Sequence, residues 1–261
     1  MTIIRERTGG IVANFLAELG RAVQLALLAL CQFPSVLLRK DARRTFRQQL
    51  HVIGIGTLPV ATVVAMFTGM ILTLQLGISF KKFSQELMVA YTLSFAMLRE
   101  MGPFMTGVIL ASCVGSAMAA HLGTMKVNEE VAALEMMSID PVRYLVAPRM
   151  WALLIMAPLI SFYTCVVAFV GGAIVGYTQL NVPFMQFIYE IVTVAELKDL
   201  YVGLFKTGLF GILICTISCS VGFATVQGAA GVGASTRRAV IYSFLAILAG
   251  GYFVTRFCYV F

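Results

Sequence analysis

Long apolar stretches alternate with short charged clusters along this chain, and that alternation predicts its elements. No charged residue occurs between Arg47 and Lys81, so His51–Phe80 is predicted as a first membrane span. Fully helical at ~1.5 Å per residue it would be about 45 Å long. That exceeds a hydrocarbon core of ~30 Å, so the span must tilt or project. Pro59 is a candidate kink. Leu87–Leu98 is apolar but too short to cross, and Arg99-Glu100 and then Met101-Gly102-Pro103 follow it. This order predicts a broken helix: a short arm, a polar break, and a second span from Pro103 to about Leu122. Ala111, Gly115 and Ala119 give that span a small-residue face for close packing. A third span is predicted over Met150–Tyr177, carrying the pair Gly172 and Gly176, and a fourth over Tyr201–Val226. The mixed residues 178–200 between them predict one or two short helices outside the membrane. A glycine-rich loop, GAAGVGAST, leads to a fifth span, Ala239–Phe261, with Ser235 or Thr236 as its N-cap.

Two further segments have helical spacing but are not spans. In residues 10–40, Ile11, Phe15, Leu16, Leu19, Val23, Leu27 and Leu30 recur on one face, among Glu18, Arg21, Arg39 and Lys40. They predict an amphipathic helix lying in the membrane interface; a helix packed on a cytoplasmic partner is the alternative. A basic connector, Asp41–Arg47, follows. Thr124–Ile139 predicts a short charged helix between spans two and three, with Val127, Val131, Leu134 and Met137 on one face and Lys126, Glu129 and Glu130 mostly on another.

Composition agrees with this pattern. The chain is 60% hydrophobic and 12% charged, where soluble domains carry about 25% charged residues. An all-α polytopic membrane protein is therefore predicted, and the short alternating segments of a β-barrel are not seen. The net charge of +7 is no sign of nucleic-acid binding, because eight of the 19 Lys and Arg precede the first span. A basic flank of this kind marks the cytoplasmic side, beside anionic lipid. Residues 123–149 hold three more and positions 237–238 two. The prediction is N-terminus inside and C-terminus outside. The six cysteines make no CxxC, so free thiols are expected.

Few residues invite a chemical role. Arg99 and Glu100 are costly at membrane depth and mark a pathway or a partner contact, unless they cap a broken helix at headgroup level. Neighbours on a helix point about 100° apart, so they should not satisfy only each other. Gln75 is a lone amide in a long apolar run, suited to a polar pocket wall or to a hydrogen bond between helices. Lys206 is expected to snorkel to the outer interface, ahead of a headgroup contact. GAAGVGAST lacks the GK[ST] ending of a phosphate loop. Ser116 and His121 are five residues apart on one predicted helix and make no hydrolase site. No metal-ligand spacing occurs, and no cofactor is predicted.

Four blocks, REMGP, GSAMAAHLGTMKVNEEVAALEMMSIDPVRYLVAPR, DLYVGLFKTGLFG and GAAGVGAST, occur in the order found in the MlaE (YrbE) permease family, which the chain resembles over about residues 10–261. The resemblance implies one permease domain over 1–261: the interfacial helix and connector at 10–47, and a five-span bundle at 51–261 with a coupling helix at 124–141. It implies a homodimer in a bacterial inner membrane that moves phospholipid to or from a periplasmic MCE-domain carrier (MlaD-like). A cytoplasmic ABC ATPase (MlaF-like) would drive it, and some systems add a STAS-domain subunit. The chain itself, with no ATP-binding sequence, would not be an enzyme.

By the same resemblance Leu72, Gln75, Phe80, Arg99 and Glu100 would line a lipid pocket. Val127, Glu129, Glu130, Val131, Leu134, Glu135, Met137 and Asp140 would form the ATPase-coupling surface, against a plain solvated charged face. The chain departs from the family at Cys113, where Arg is usual, at His121, where Glu is usual, and at Gly251, where an acid is common. Rival readings are a membrane scaffold that binds no lipid, or a secondary transporter, which would want more intramembrane acids than Glu100.

Overall fold

The computed structural model describes residues 28–29, 40–83, 85–226 and 228–259. Within them the chain is helical, with no strand. The helices are α1 (Lys40–Lys81), α2 (Met88–Val127), α3 (Glu130–Met136), α4 (Val142–Leu180), α5 (Phe184–Val194), α6 (Leu197–Phe223) and α7 (Gly228–Tyr259). Five of these, α1, α2, α4, α6 and α7, are long and apolar enough to cross a membrane. The interfacial helix expected at 10–40 lies almost entirely outside the described residues.

The five expected spans are present, but several boundaries move. The basic connector Asp41–Arg47 belongs to α1, since it holds strong helix formers and neither Gly nor Pro. The break expected at Arg99–Pro103 is a π-helical turn, Met97–Met101, inside one continuous helix. A second such turn, Ala111–Gly115, follows. The charged helix expected over Thr124–Ile139 is divided. Its first turn extends α2 to Val127, Glu129 takes a left-handed conformation (φ 60°), and only Glu130–Met136 forms α3.

The GAAGVGAST segment is no loop but the first turns of α7. Gly231 serves close approach, as a Cβ there would overlap the carbonyl of Val226, while Gly228 takes a left-handed φ of 62°. Ser235 and Thr236 are not caps: Ser235 is buried and takes a hydrogen bond from Thr225 (2.8 Å), and Thr236 donates back to Val232 O (2.8 Å) within the helix.

The described residues fall into two compact units. One comprises the described residues within 1–49, 115–152 and 212–243, the other those within 50–114, 153–211 and 244–261. In the second unit, the start of α2 and α5 pack with α1 and α4 around Val89, Leu93, Met97, Ala168 and Phe187. The contact is close because a Cβ on Gly69 of α1 would overlap Ala168 O, and one on Gly171 of α4 would press on Met66 O. Small residues let helix backbones touch where water exclusion gives no drive to associate. In the first unit, Leu122 and Val131 are buried, and Gly222 of α6 lies against Leu122 and Ala119.

Candidate functional site

Arg99 and Glu100 lie in the π turn of α2, and the turn has a local cause. In an α-helix the Arg99 carbonyl would accept the N–H of residue 103, which is a proline and has none. The helix widens so that Gly102 N–H reaches Met97 O, and the Arg99 carbonyl is left for an outside donor.

Lys206 of α6 fills that vacancy. Its Nζ donates to Arg99 O (2.9 Å), Glu100 Oε1 (2.9 Å) and Thr255 Oγ1 of α7 (2.7 Å). All three ammonium hydrogens are thus used, and the side chain is 1% exposed. The expected snorkelling of Lys206 is therefore overturned: the vacant carbonyl and the carboxylate together hold the charge inside. The Glu100 side chain is 45% exposed, so the acid faces outward from a buried cation.

Arg99 points the other way, as adjacent helical positions must. Its Nε lies 2.7 Å from Asp199 Oδ2 of α6, an ionic contact in which the N–H is not aimed along the line to the oxygen. The guanidinium sits 3.5 Å from the ring centre of Phe95 and 4.3 Å from that of Tyr259, a cation–π sandwich. Tyr259 donates its hydroxyl hydrogen to Asp199 Oδ1 (2.8 Å). A cavity of about 70 Å³ beside Arg99, bordered by Tyr91, Phe95, Glu196 and Asp199, has room for a few waters but not for a diacyl phospholipid.

Two ion pairs thus tie α2 to α6, and α7 closes both with a hydroxyl. Gly203, between Asp199 and Lys206 on α6, allows the approach, since a Cβ there would overlap Leu98 O. Sequence reasoning missed Asp199, Thr255 and Tyr259. The signals were present: Asp199 and Lys206 are seven apart and share a helix face, as do Thr255 and Tyr259, four apart.

The other expected pocket residues lie elsewhere. Leu72 and Phe80 pack on the apolar core of α1, α2, α4 and α5, and Gln75 is exposed. Of the expected coupling residues, Val131 is buried, and Val127 and Leu134 are half-buried. That face points inward. Glu129, Glu130, Glu135 and Met137 are exposed, and Met136, not anticipated, is 82% exposed. Asp140 has a local duty, accepting the N–H of Val142 (2.9 Å) at the start of α4.

The family model described as Permease MlaE matches residues 46–257. A Rickettsia typhi protein described as a probable ABC transporter permease is 38% identical over 209 residues, 80% of this chain and 81% of its own. A Synechocystis protein with the same description is 34% identical over 223 residues, 85% of each chain. The intermembrane phospholipid transport system permease protein MlaE of Haemophilus influenzae is 29% identical over 254 residues, 94% of this chain and 97% of its own. The family match runs from within α1 almost to the end of α7 and takes in α2, α3 and both ion pairs of this charge knot of α2, α6 and α7, and the chain belongs to the MlaE permease family.

Proposed function

We propose that this chain is the membrane permease of an ABC-type phospholipid transporter, passing lipid between the inner membrane and a periplasmic MCE-domain carrier. The single observation that carries this reading is an exposed helix, α3, held between two long apolar helices, in a family whose relatives are described as ABC transporter permeases. The chain would act as one permease domain. Energy would come from a separate cytoplasmic ATPase seated on Glu129, Glu130, Glu135, Met136 and Met137. The basic flank before α1 favours an orientation with the N-terminus and α3 in the cytoplasm, and so the charge knot on the periplasmic side.

The outward faces of α1 and α7 remain apolar, with Phe67, Ile71, Leu245, Leu248 and Phe253 exposed, which suits lipid on one side and a second copy on the other. We read the assembly as a C2 homodimer with the lipid path between the copies. The outward carboxylate of Glu100 and the stacked Arg99 would then border that path and meet a headgroup. Leu72 and Phe80 would form its apolar approach only after α1 shifts from its packed position, and the exposed amide of Gln75 would be the polar point of that wall.

Native mass spectrometry of the chain co-purified with its ATPase and MCE partner tests the composition. The expected result is two copies of this chain, bound ATPase, and phospholipid released on activation. A single copy, or a complex without lipid under conditions that keep the partners bound, would favour the scaffold reading instead.

A further inference from the structure

Arg149, in the first turns of α4, is 6% exposed. Among the described residues no carboxylate lies within ion-pair reach of it. Its Nη2 donates to Nδ1 of His121 on α2 at 3.2 Å, and its buried Nη1 has no hydrogen-bond partner. A guanidinium can only donate, so Nδ1 is the bare nitrogen of a neutral imidazole. The buried thiols of Cys215 and Cys219 on α6 lie within electrostatic reach of Arg149, and Glu130 of α3 within that of the imidazole. The nearest Glu130 oxygen is 3.4 Å from Asn128 Nδ2.

A buried cation with one neutral partner is a costly arrangement. One of its donor nitrogens is buried without a partner, and the imidazole that takes a hydrogen from the other is exposed. A guanidinium fork matches two phosphate oxygens, and the neutral imidazole, by accepting at Nδ1, holds the guanidinium in place. We propose that Arg149, oriented by His121, binds a phosphate group at the membrane interface on the α3 side, contributed by an anionic phospholipid headgroup or by inorganic phosphate. This site belongs to neither the charge knot nor the ATPase surface, and it stands whether or not the transport reading does.

The test is thermal melting of the purified chain in detergent, at matched ionic strength, with inorganic phosphate, short-chain phosphatidylglycerol or chloride. At least one of the first two should raise the midpoint over chloride by roughly 3 °C or more. A response to lipid alone assigns the headgroup, and a response to both assigns phosphate itself. His121→Glu places a carboxylate on the guanidinium, so it should start with a higher midpoint and lose the shift. His121→Gln keeps a neutral acceptor and should keep the shift. No shift in the wild type with either probe overturns the proposal, as does a shift that survives in His121→Glu. Should that variant not fold, Arg149→Lys must lose at least half of the shift, and an undiminished one also overturns the proposal.

Discussion

Glu100→Gln will destabilise the chain more than Lys206→Met will, and the two together will cost less than Glu100→Gln alone. The order follows from the asymmetry of the pair. Removing one partner of a buried ion pair costs about 3–5 kcal/mol, because the other charge is left uncompensated. Here the lysine is 1% exposed and the glutamate 45%. Losing the carboxylate strands a cation that water cannot reach. Losing the lysine strands a carboxylate that water can hydrate, so that cost is discounted to on the order of 2 kcal/mol, including the vacated Arg99 carbonyl. With both changed, no charge is stranded. In melting experiments in detergent, Glu100→Gln should fall by roughly 6–12 °C and Lys206→Met by about half as much. Strictly additive effects, or a milder Glu100→Gln, would show that the pair is hydrated and holds little together.

With the ATPase seated on α3 as proposed, Met136→Asp with Met137→Asp will uncouple the permease from it without unfolding the chain. Both side chains are exposed, at 82% and 70%, so neither contributes to the core of the isolated chain. Each methionine fully buried against a partner is worth about 1.5–3 kcal/mol, and an aspartate there adds a desolvated charge. Affinity for the ATPase should fall at least roughly a hundredfold, while the melting midpoint of the chain alone stays within a few degrees. Val131→Asp is the contrasting case: Val131 is 3% exposed, so it should lower the midpoint itself. Unchanged ATPase binding in the double methionine variant would move the contact off α3.

The five spans were legible because apolar runs of membrane length have few other uses. The boundaries were less so, for identifiable reasons. Arg99-Glu100 followed by Gly102-Pro103 reads as a helix break when the unpaired carbonyl is assumed to face solvent or headgroups. Here Lys206, more than a hundred residues later in the chain, supplies the missing hydrogen, and the helix continues through a π turn. GAAGVGAST reads as a loop by propensity, but tertiary contact at Gly231 and Ser235 overrides it. The apolar stripe Val127, Val131, Leu134 and Met137 was visible by spacing, but spacing does not say whether a stripe faces the protein's own core or a partner. Three of its four residues turn inward to some degree. Arg99 and Glu100 were identified as residues needing partners outside each other, and the structure supplies Asp199 and Lys206. Those partners lie on a distant helix that periodicity alone could not pair with α2.

In the proposed function, ATP hydrolysis on a partner drives phospholipid through this permease. The most direct measurement is transfer of a fluorescent phospholipid between proteoliposomes holding the complex and its purified MCE-domain carrier, in either direction. Transfer should require ATP, stop with a hydrolysis-dead ATPase, and fall at least roughly tenfold with Met136→Asp/Met137→Asp. Transfer at the same rate without ATP, or none with every partner assembled and hydrolysing, would contradict it.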